Sequence, residues 1–243
     1  MVMTKEKIDI LAIGVHPDDI ELGCGATILK QISLGYKVGF LDLTQGELGT
    51  RGSAELRLKE AEAAREYAQA VVRVNLGMAD GFFQNTPENK MKIIEVIRRF
   101  QPDVVLANAV HDRHPDHGNA SKMTYEACFL SGLLKIKTSY NNKPQDKWRP
   151  RKIFNFIQDY DIKPDVVVDV TEYMDQKIEL VLKYKSQFYD PNSTEDDTPI
   201  SSPEFIDKLK GRAIEHGRRI GVKYGEGFTC RDFVGVNDIM NVL

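Results

Sequence analysis

The sequence predicts an α/β fold: a mostly parallel sheet with helices on both faces, in a single domain over residues 1–243. Three observations lead there. Short apolar, β-branched runs alternate with stretches of helical composition over roughly the first 180 residues, the signature of repeated βαβ units. The chain has 243 residues, 42% hydrophobic and 28% charged, enough to bury a core without disulfide staples. No linker, repeat or low-complexity tract divides it.

The elements follow in order. Ile8 to Val15, mostly apolar and β-branched with Asp9 in it, reads as a buried strand. His16-Pro17-Asp18-Asp19 turns the chain, Gly23-Cys24-Gly25 reads as a tight turn with close packing, and a helix is expected from Ala26 to Leu34. Val38 to Leu43 is the second strand. A Gly-rich loop, Thr44 to Ser53, leads to a helix from Ala54 to Ala70, rich in Ala, Glu, Leu and Arg. Val71 to Leu76 is the third strand, and Pro87 to Phe100 a helix by the spacing of Ile93, Ile94 and Ile97. After a Pro breaker, Pro102 to Asn108 is the fourth strand. His111 to His117 follows it, then a helix from Gly118 to Leu134. Strands at Lys152 to Gln158 and Val166 to Val170, with a helix from Thr171 to Lys185, extend the pattern. Ser186 to Ser202 is polar and reads as a long surface loop, Pro203 to Ile220 as a last helix, and the tail as short β-like pieces around Phe228 and Phe233. The part from about 186 to 243 is expected to close around the site.

Charge excludes some partners. Thirty-three Lys and Arg against 36 Asp and Glu give a formal net charge of −3, which offers no footprint for nucleic acid or an anionic membrane. No stretch has the length of a membrane span, and the N-terminus lacks the pattern of a secretion signal. Three cysteines without a C-x-x-C pair suit a reducing cytoplasm.

Histidine is sparse and clustered. Of five, His16 follows the first strand; His111, His114 and His117 follow the fourth; His216 stands apart and is expected on the surface. Open α/β sheets bind ligands beyond the carboxyl ends of their strands, where strand order reverses, so the two segments can meet at one site. Imidazole and carboxylate suit zinc, and a catalytic zinc keeps three protein ligands and a position for water. His16 and Asp19 can present two ligands from one turn, and one histidine of the second segment the third; spacing does not say which. Asp18 is left beside the metal as a candidate general base, and a spare imidazole can polarise a carbonyl and protonate a leaving amine. Taken alone, His-Pro-Asp-Asp is also an ordinary helix start, Pro fixing the turn and Asp capping.

The ordered motifs Val15-His16-Pro17-Asp18-Asp19, Glu21-x-Gly23-x-Gly25-Ala26, Thr44-x-Gly46-Glu47, Arg57-x-x-Glu60-Ala61 and His114-Pro115-Asp116-His117 resemble the zinc-dependent N-acetylglucosaminyl deacetylases of the PIG-L/LmbE-like family. Tyr184 to Phe188, Gly225 to Phe228 and Gly235 to Asp238 are similar to the branch that deacetylates N-acetylglucosaminyl-L-malate in bacillithiol biosynthesis. The resemblance implies a Rossmann-like fold and a homo-oligomer, a hexamer in similar enzymes. It implies His16, Asp19 and His117 as zinc ligands, with iron(II) suited to the same donors. It implies Asp18 as general base, His114 as oxyanion stabiliser and acid, and Asp116 as its orienting partner. Arg57 and Asp80 fall at positions that contact the sugar or its aglycone, and Glu47 at a position near the site. Competing readings are a metal-dependent hydrolase of another N-acyl sugar, small amide or phosphoester, and a non-catalytic sugar- or metal-binding protein. Metal stoichiometry and release of free amine separate them.

Overall fold

A computed structural model describes residues 7–242; residues 1–6, which begin the N-terminus read above as lacking a secretion signal, and residue 243 lie outside it. The chain runs β1 (Ile10–Gly14), α1 (Asp19–Ser33), β2 (Val38–Thr44), α2 (Ala54–Ala68), β3 (Val72–Met78), α3 (Pro87–Phe100), β4 (Val104–Ala107) and α4 (Pro115–Ser131). A two-strand hairpin, β5 (Ser139–Tyr140) and β6 (Lys143–Pro144), then precedes β7 (Lys152–Phe156), β8 (Val166–Asp169), α5 (Met174–Val181), α6 (Phe205–Arg219) and β9 (Gly225–Thr229). Short 3₁₀ turns sit at Thr171–Tyr173 and Ile239–Asn241.

The central sheet has the order β3-β2-β1-β4-β7-β9-β8. Its pairs are parallel from β3 through β7, and β9 is antiparallel to both β7 and β8. β1 alternates Ile10 and Ala12 toward one core cluster with Leu11 and Ile13 toward the other. α1, α2, α5 and α6 cover the first face, α3 and α4 the second. Burial on both faces explains the apolar run of β1 and of β2 up to Leu41, beyond which buried Asp42 is paired with Arg73. Strand order reverses between β1 and β4, which opens the crevice where the rule for open sheets places ligands.

Four local expectations need correction. α1 begins at Asp19, not Ala26, and is kinked at Cys24 (φ −143°, ψ 22°). The kink frees amides that β9 satisfies: Glu226 accepts from Ala26 N at 3.2 Å and Thr27 N at 2.6 Å. α4 starts at Pro115, three residues before Gly118, because proline is pre-set for the first helical turn. β9 around Phe228 is a sheet member, whereas Phe233 is 99% exposed and lies outside any strand. His216 is buried against Gly227, not on the surface.

Residues 186–202 form a loop, but a pinned one. The guanidinium of Arg51, itself buried, donates to the carbonyls of Phe188, Glu195 and Asp196 and to the Asp197 carboxylate. Glu60 of α2 accepts from the amide and hydroxyl of Ser186. The loop thereby brings Thr198, Pro199 and Ile200 to the crevice wall.

Candidate active site

The turn after β1 is organised by Asp19. Its Oδ2 accepts the amides of Val15 and His16, each at 3.0 Å, which folds the turn onto the start of α1. Asn108, just beyond β4, donates to the same oxygen at 3.0 Å, and Gln158, just beyond β7, donates to Oδ1 at 3.0 Å. Three strand ends therefore fix one carboxylate. Asp18 makes no capping bond; it is held at φ 117° and ψ −26°, a left-handed conformation that costs a non-glycine residue about 1–3 kcal/mol. The ordinary helix-cap reading of this motif is thus excluded for Asp18. Arg57 holds the strained residue, donating from Nη2 to Asp18 Oδ2 at 3.0 Å and to the Pro17 carbonyl. Gly46, at φ +66°, makes room for that guanidinium: a Cβ there would overlap Arg57 Nη1 and lie 2.8 Å from Cζ.

The second segment arrives from β4. His114 caps α4, its Nδ1 accepting the Asp116 amide at 3.3 Å. In neutral His114 the proton then sits on Nε2. His117, one turn into the helix, has Nδ1 2.5 Å from Asp112 Oδ2 and Nε2 3.2 Å from Asp19 Oδ1. The rings of His16, His114 and His117 cluster, with centroids 4.7 to 5.6 Å apart. His16 places Nε2 2.9 Å from Asp80 Oδ1 and Nδ1 3.5 Å from Asp19 Oδ2.

Among the described residues, two groups of side chains bring potential ligand atoms within 4.8 Å of one another: His16, Asp19 and His117, all buried, and His16, His114 and Asp116. The first group fits a metal better. Its two imidazoles each have their other nitrogen held by a carboxylate, Asp112 on His117 and Asp80 on His16, the arrangement that fixes ring orientation in metal sites. In the second group His114 Nδ1 is already occupied by an amide, and Asp116 Oδ2 accepts from Gly81 N at 2.9 Å.

Electrostatics points the same way. Burial pulls the His16 imidazolium down, but the hydrogen bonds and charges of Asp19 and Asp80 outweigh it and raise its pKa to about 10. His117 is likewise lowered by burial and raised more strongly by Asp19 and Asp112, to about 9. Burial opposes the Asp19 charge, yet His117 and His16 hold the carboxyl well below its usual value. Without a metal, the two imidazoles carry the positive charge the carboxylates demand; a divalent ion would take their protons' place. Asp18 is pushed up to about 7 by burial, against the pull of Arg57. His114 is lowered by burial and by the charges of His16 and His117.

The cavity above these groups measures about 310 Å³ and is lined by His16, Asp18, Asp19, Arg57, Asp80, His114 and His117. Seven of the nine sequence-predicted site residues thus meet there. Asp116 and Glu47 stand behind: the Asp116 carboxylate braces Gly81, and exposed Glu47 accepts the Asp80 amide at 2.8 Å. His111 is exposed beside Tyr160 and outside both ligand groups. Sequence reasoning missed Asp112, Asn108, Gln158 and Arg212. The first lies inside the histidine run, and the next two follow strands that end at the same edge, which is the signal that could have found them.

Comparison with known proteins agrees. The family profile described as "PIG-L: GlcNAc-PI de-N-acetylase" matches residues 11–128. A diacetylchitobiose deacetylase of Thermococcus kodakarensis is 31% identical over 228 residues, covering 90% of this chain and 81% of that protein. The crystal structure of a conserved protein from Thermus thermophilus superposes with a TM-score of 0.83 at 33% identity, over 95% of this chain and 98% of the other. N,N'-diacetylchitobiose deacetylase from Pyrococcus horikoshii, solved with an inhibitor, gives 0.75 at 26% identity, over 90% and 82%. With its strand order, its paired His/Asp segments and a relative this similar over most of both lengths, the chain belongs to the PIG-L family.

Proposed function

We propose that the chain is a metal-dependent deacetylase that hydrolyses the acetamide of an N-acetylglucosaminide. The observation that carries this is the buried His16, Asp19 and His117 set with Asp18 held beside it in a strained turn. His16, Asp19 and His117 would hold the ion, with zinc the proposed metal and iron(II) suited to the same donors. Bound there, the metal would supply Lewis acidity toward the acetamide carbonyl and acidify a water molecule.

The remaining chemistry falls to the chain's own residues. Asp18 accepts a proton from the attacking water as the new C–O bond forms. His114 donates from Nε2 to the carbonyl oxygen as negative charge develops there. Cleavage of the C–N bond then needs a proton on nitrogen: His114 delivers it as the proton that Asp18 took from water passes to His114, so acetate and a free amine leave and both side chains return to their starting states. Asp116 positions His114 through its amide, a hydrogen bond that fixes the ring tautomer. Arg57 holds Asp18, and Arg57 and Asp80 line the space for the sugar. Glu47 braces Asp80.

N-acetylglucosaminyl-L-malate, of bacillithiol biosynthesis, is the proposed substrate. The C-terminal motifs support it: Gln187 lines the cavity, and Glu226 splints the kink of α1. The relatives' printed substrates, diacetylchitobiose among them, support the N-acetylglucosamine part alone. The whole chain is taken as one catalytic domain, acting in the cytoplasm on a small molecule and assembling as a homo-oligomer, by resemblance a hexamer. The cysteines Cys24, Cys128 and Cys230 are all free, and no described helix is long and apolar enough to cross a membrane.

The test is release of free amine from a panel of N-acetylglucosaminides, with zinc or iron(II) added to metal-stripped protein. Amine released from N-acetylglucosaminyl-malate faster than from diacetylchitobiose supports the full reading. Absence of release with every substrate and metal would sink it, and two bound ions per chain would favour a phosphoester hydrolase instead.

A further inference from the structure

The cavity contains three arginines, and they are not equivalent. Arg57 is committed to Asp18 and Pro17. Arg113, at the rim, places Nε 3.3 Å from Asp159 Oδ2, with both side chains about half exposed. Arg212, on α6, is partly buried, and its one hydrogen bond among the described residues runs from Nη1 to the Ile157 carbonyl at 3.3 Å. A guanidinium carries five N–H donors. Among the described residues no carboxylate oxygen comes within 4.0 Å of it.

The carboxylates nearest to it are spent elsewhere. Glu226 binds Lys177 Nζ at 2.6 Å and the amides of Ala26 and Thr27. Asp112 binds His117 and the amides of Asp159 and Tyr160. Asp159 pairs with Arg113, and Asp161 is exposed. Burial works against the Arg212 charge more strongly than these distant carboxylates support it. A cation taken partly out of water and left without a counterion is unfavourable unless something else supplies the partner. The partner must reach it from the cavity, which Arg212 lines together with the metal-site residues. Its fork geometry matches a carboxylate or a phosphate, each able to take two parallel N–H bonds.

We propose that Arg212 is the specificity-determining residue of this pocket: it binds an oxyanion carried by the substrate beyond the N-acetylated sugar, and so selects anionic over neutral N-acetylglucosaminides. The proposal rests on the deacetylase reading above and names the chemistry of the substrate's other half.

The experiment measures binding, so that it reads independently of turnover. Affinities of N-acetylglucosaminyl-malate, N-acetylglucosamine 1-phosphate and methyl N-acetylglucosaminide are compared by calorimetry on metal-loaded protein in an Asp18→Asn background. Bonds to a charged group predict an anionic-over-neutral preference of about ten- to a hundredfold. Arg212→Gln should collapse that ratio toward one, and Arg212→Lys should restore part of it, since the charge returns without the fork. The glycoside with the larger Arg212-dependent ratio tells whether carboxylate or phosphate is the group read. Equal affinities for anionic and neutral glycosides, or a preference that survives Arg212→Gln, overturns the proposal. Failure of the wild-type protein to release amine would instead overturn the deacetylase reading and leave the binding ratio interpretable.

Discussion

Asp112 Oδ2 lies 2.5 Å from Nδ1 of His117, and the same carboxylate uses Oδ1 to accept the amides of Asp159 and Tyr160. The carboxylate is thus anchored by the chain after β7 while it fixes a ring on α4. The contact leaves Nε2 of His117 facing Asp19. If His117 holds the metal as proposed, an outer carboxylate of this kind should change metal affinity by about ten- to a hundredfold. Asp112→Asn should weaken zinc binding by that factor, read by competition with a chromophoric chelator. Unchanged affinity would mean that α4 alone positions His117.

Asp18→Asn should keep the metal and lose the reaction. Asparagine tolerates the left-handed backbone that Asp18 adopts, so the turn is preserved. It cannot accept a proton from water. Loss of a positioned base lowers turnover by about 10²–10⁴-fold. Zinc content by mass spectrometry should stay at the wild-type level, whereas His16→Ala should lose it. A zinc-replete Asp18→Asn protein with near-normal turnover would remove Asp18 from its role.

Most of this site is legible in the chain because it follows strand ends. β1 and β4 announce themselves as buried apolar runs; His16 stands directly behind β1, and His117 in the first turn of the helix that follows β4. What could not be read is what tertiary contact decides. Asp19 and Asp18 are the same residue type in adjacent positions, yet one closes the turn and the other is strained. Their difference comes from Asn108, Gln158 and Arg57, which are 89, 139 and 39 positions away along the chain. The kink at Cys24 likewise depends on Glu226, 200 residues from Ala26. Local propensity starts the helix only after the glycines, at Ala26, and the contact with β9 lets it begin at Asp19 and run through them.

Arg51 should control the loop from 186 to 202. Its side chain is 4% exposed and donates to the carbonyls of Phe188, Glu195 and Asp196. Arg51→Ala leaves those carbonyls unpaired and detaches the segment that carries Thr198 and Ile200 into the cavity. Limited proteolysis should then cut within 186–202 at protease concentrations that leave the wild type intact. KM for the N-acetylglucosaminide should rise more than kcat falls, because the wall and not the proposed metal ligands is disturbed. Identical digestion patterns would show that Glu60 and Ser186 suffice to hold the loop.

Gly23→Ala should destabilise the fold where Gly25→Ala does not. A Cβ on Gly23 would overlap Cδ2 of Phe156 and lie 2.7 Å from Cε2, on a side chain with no exposed surface at the end of β7. Backbone of α1 and ring must separate, and overpacking of this kind costs about 1–3 kcal/mol or more. A Cβ on Gly25 meets nothing closer than Leu180 Cδ2 at 3.3 Å, a flexible end that can give way, and alanine regains some helix propensity. Urea unfolding should show a lower midpoint for Gly23→Ala at unchanged slope and a near-wild-type midpoint for Gly25→Ala. The effect should also reach the site, since Gln158, two residues past Phe156, is one of the donors that hold Asp19. A Gly23→Ala protein with the wild-type midpoint would mean that Phe156 has room to move, and that the glycine serves the kink at Cys24 instead of the contact between α1 and β7.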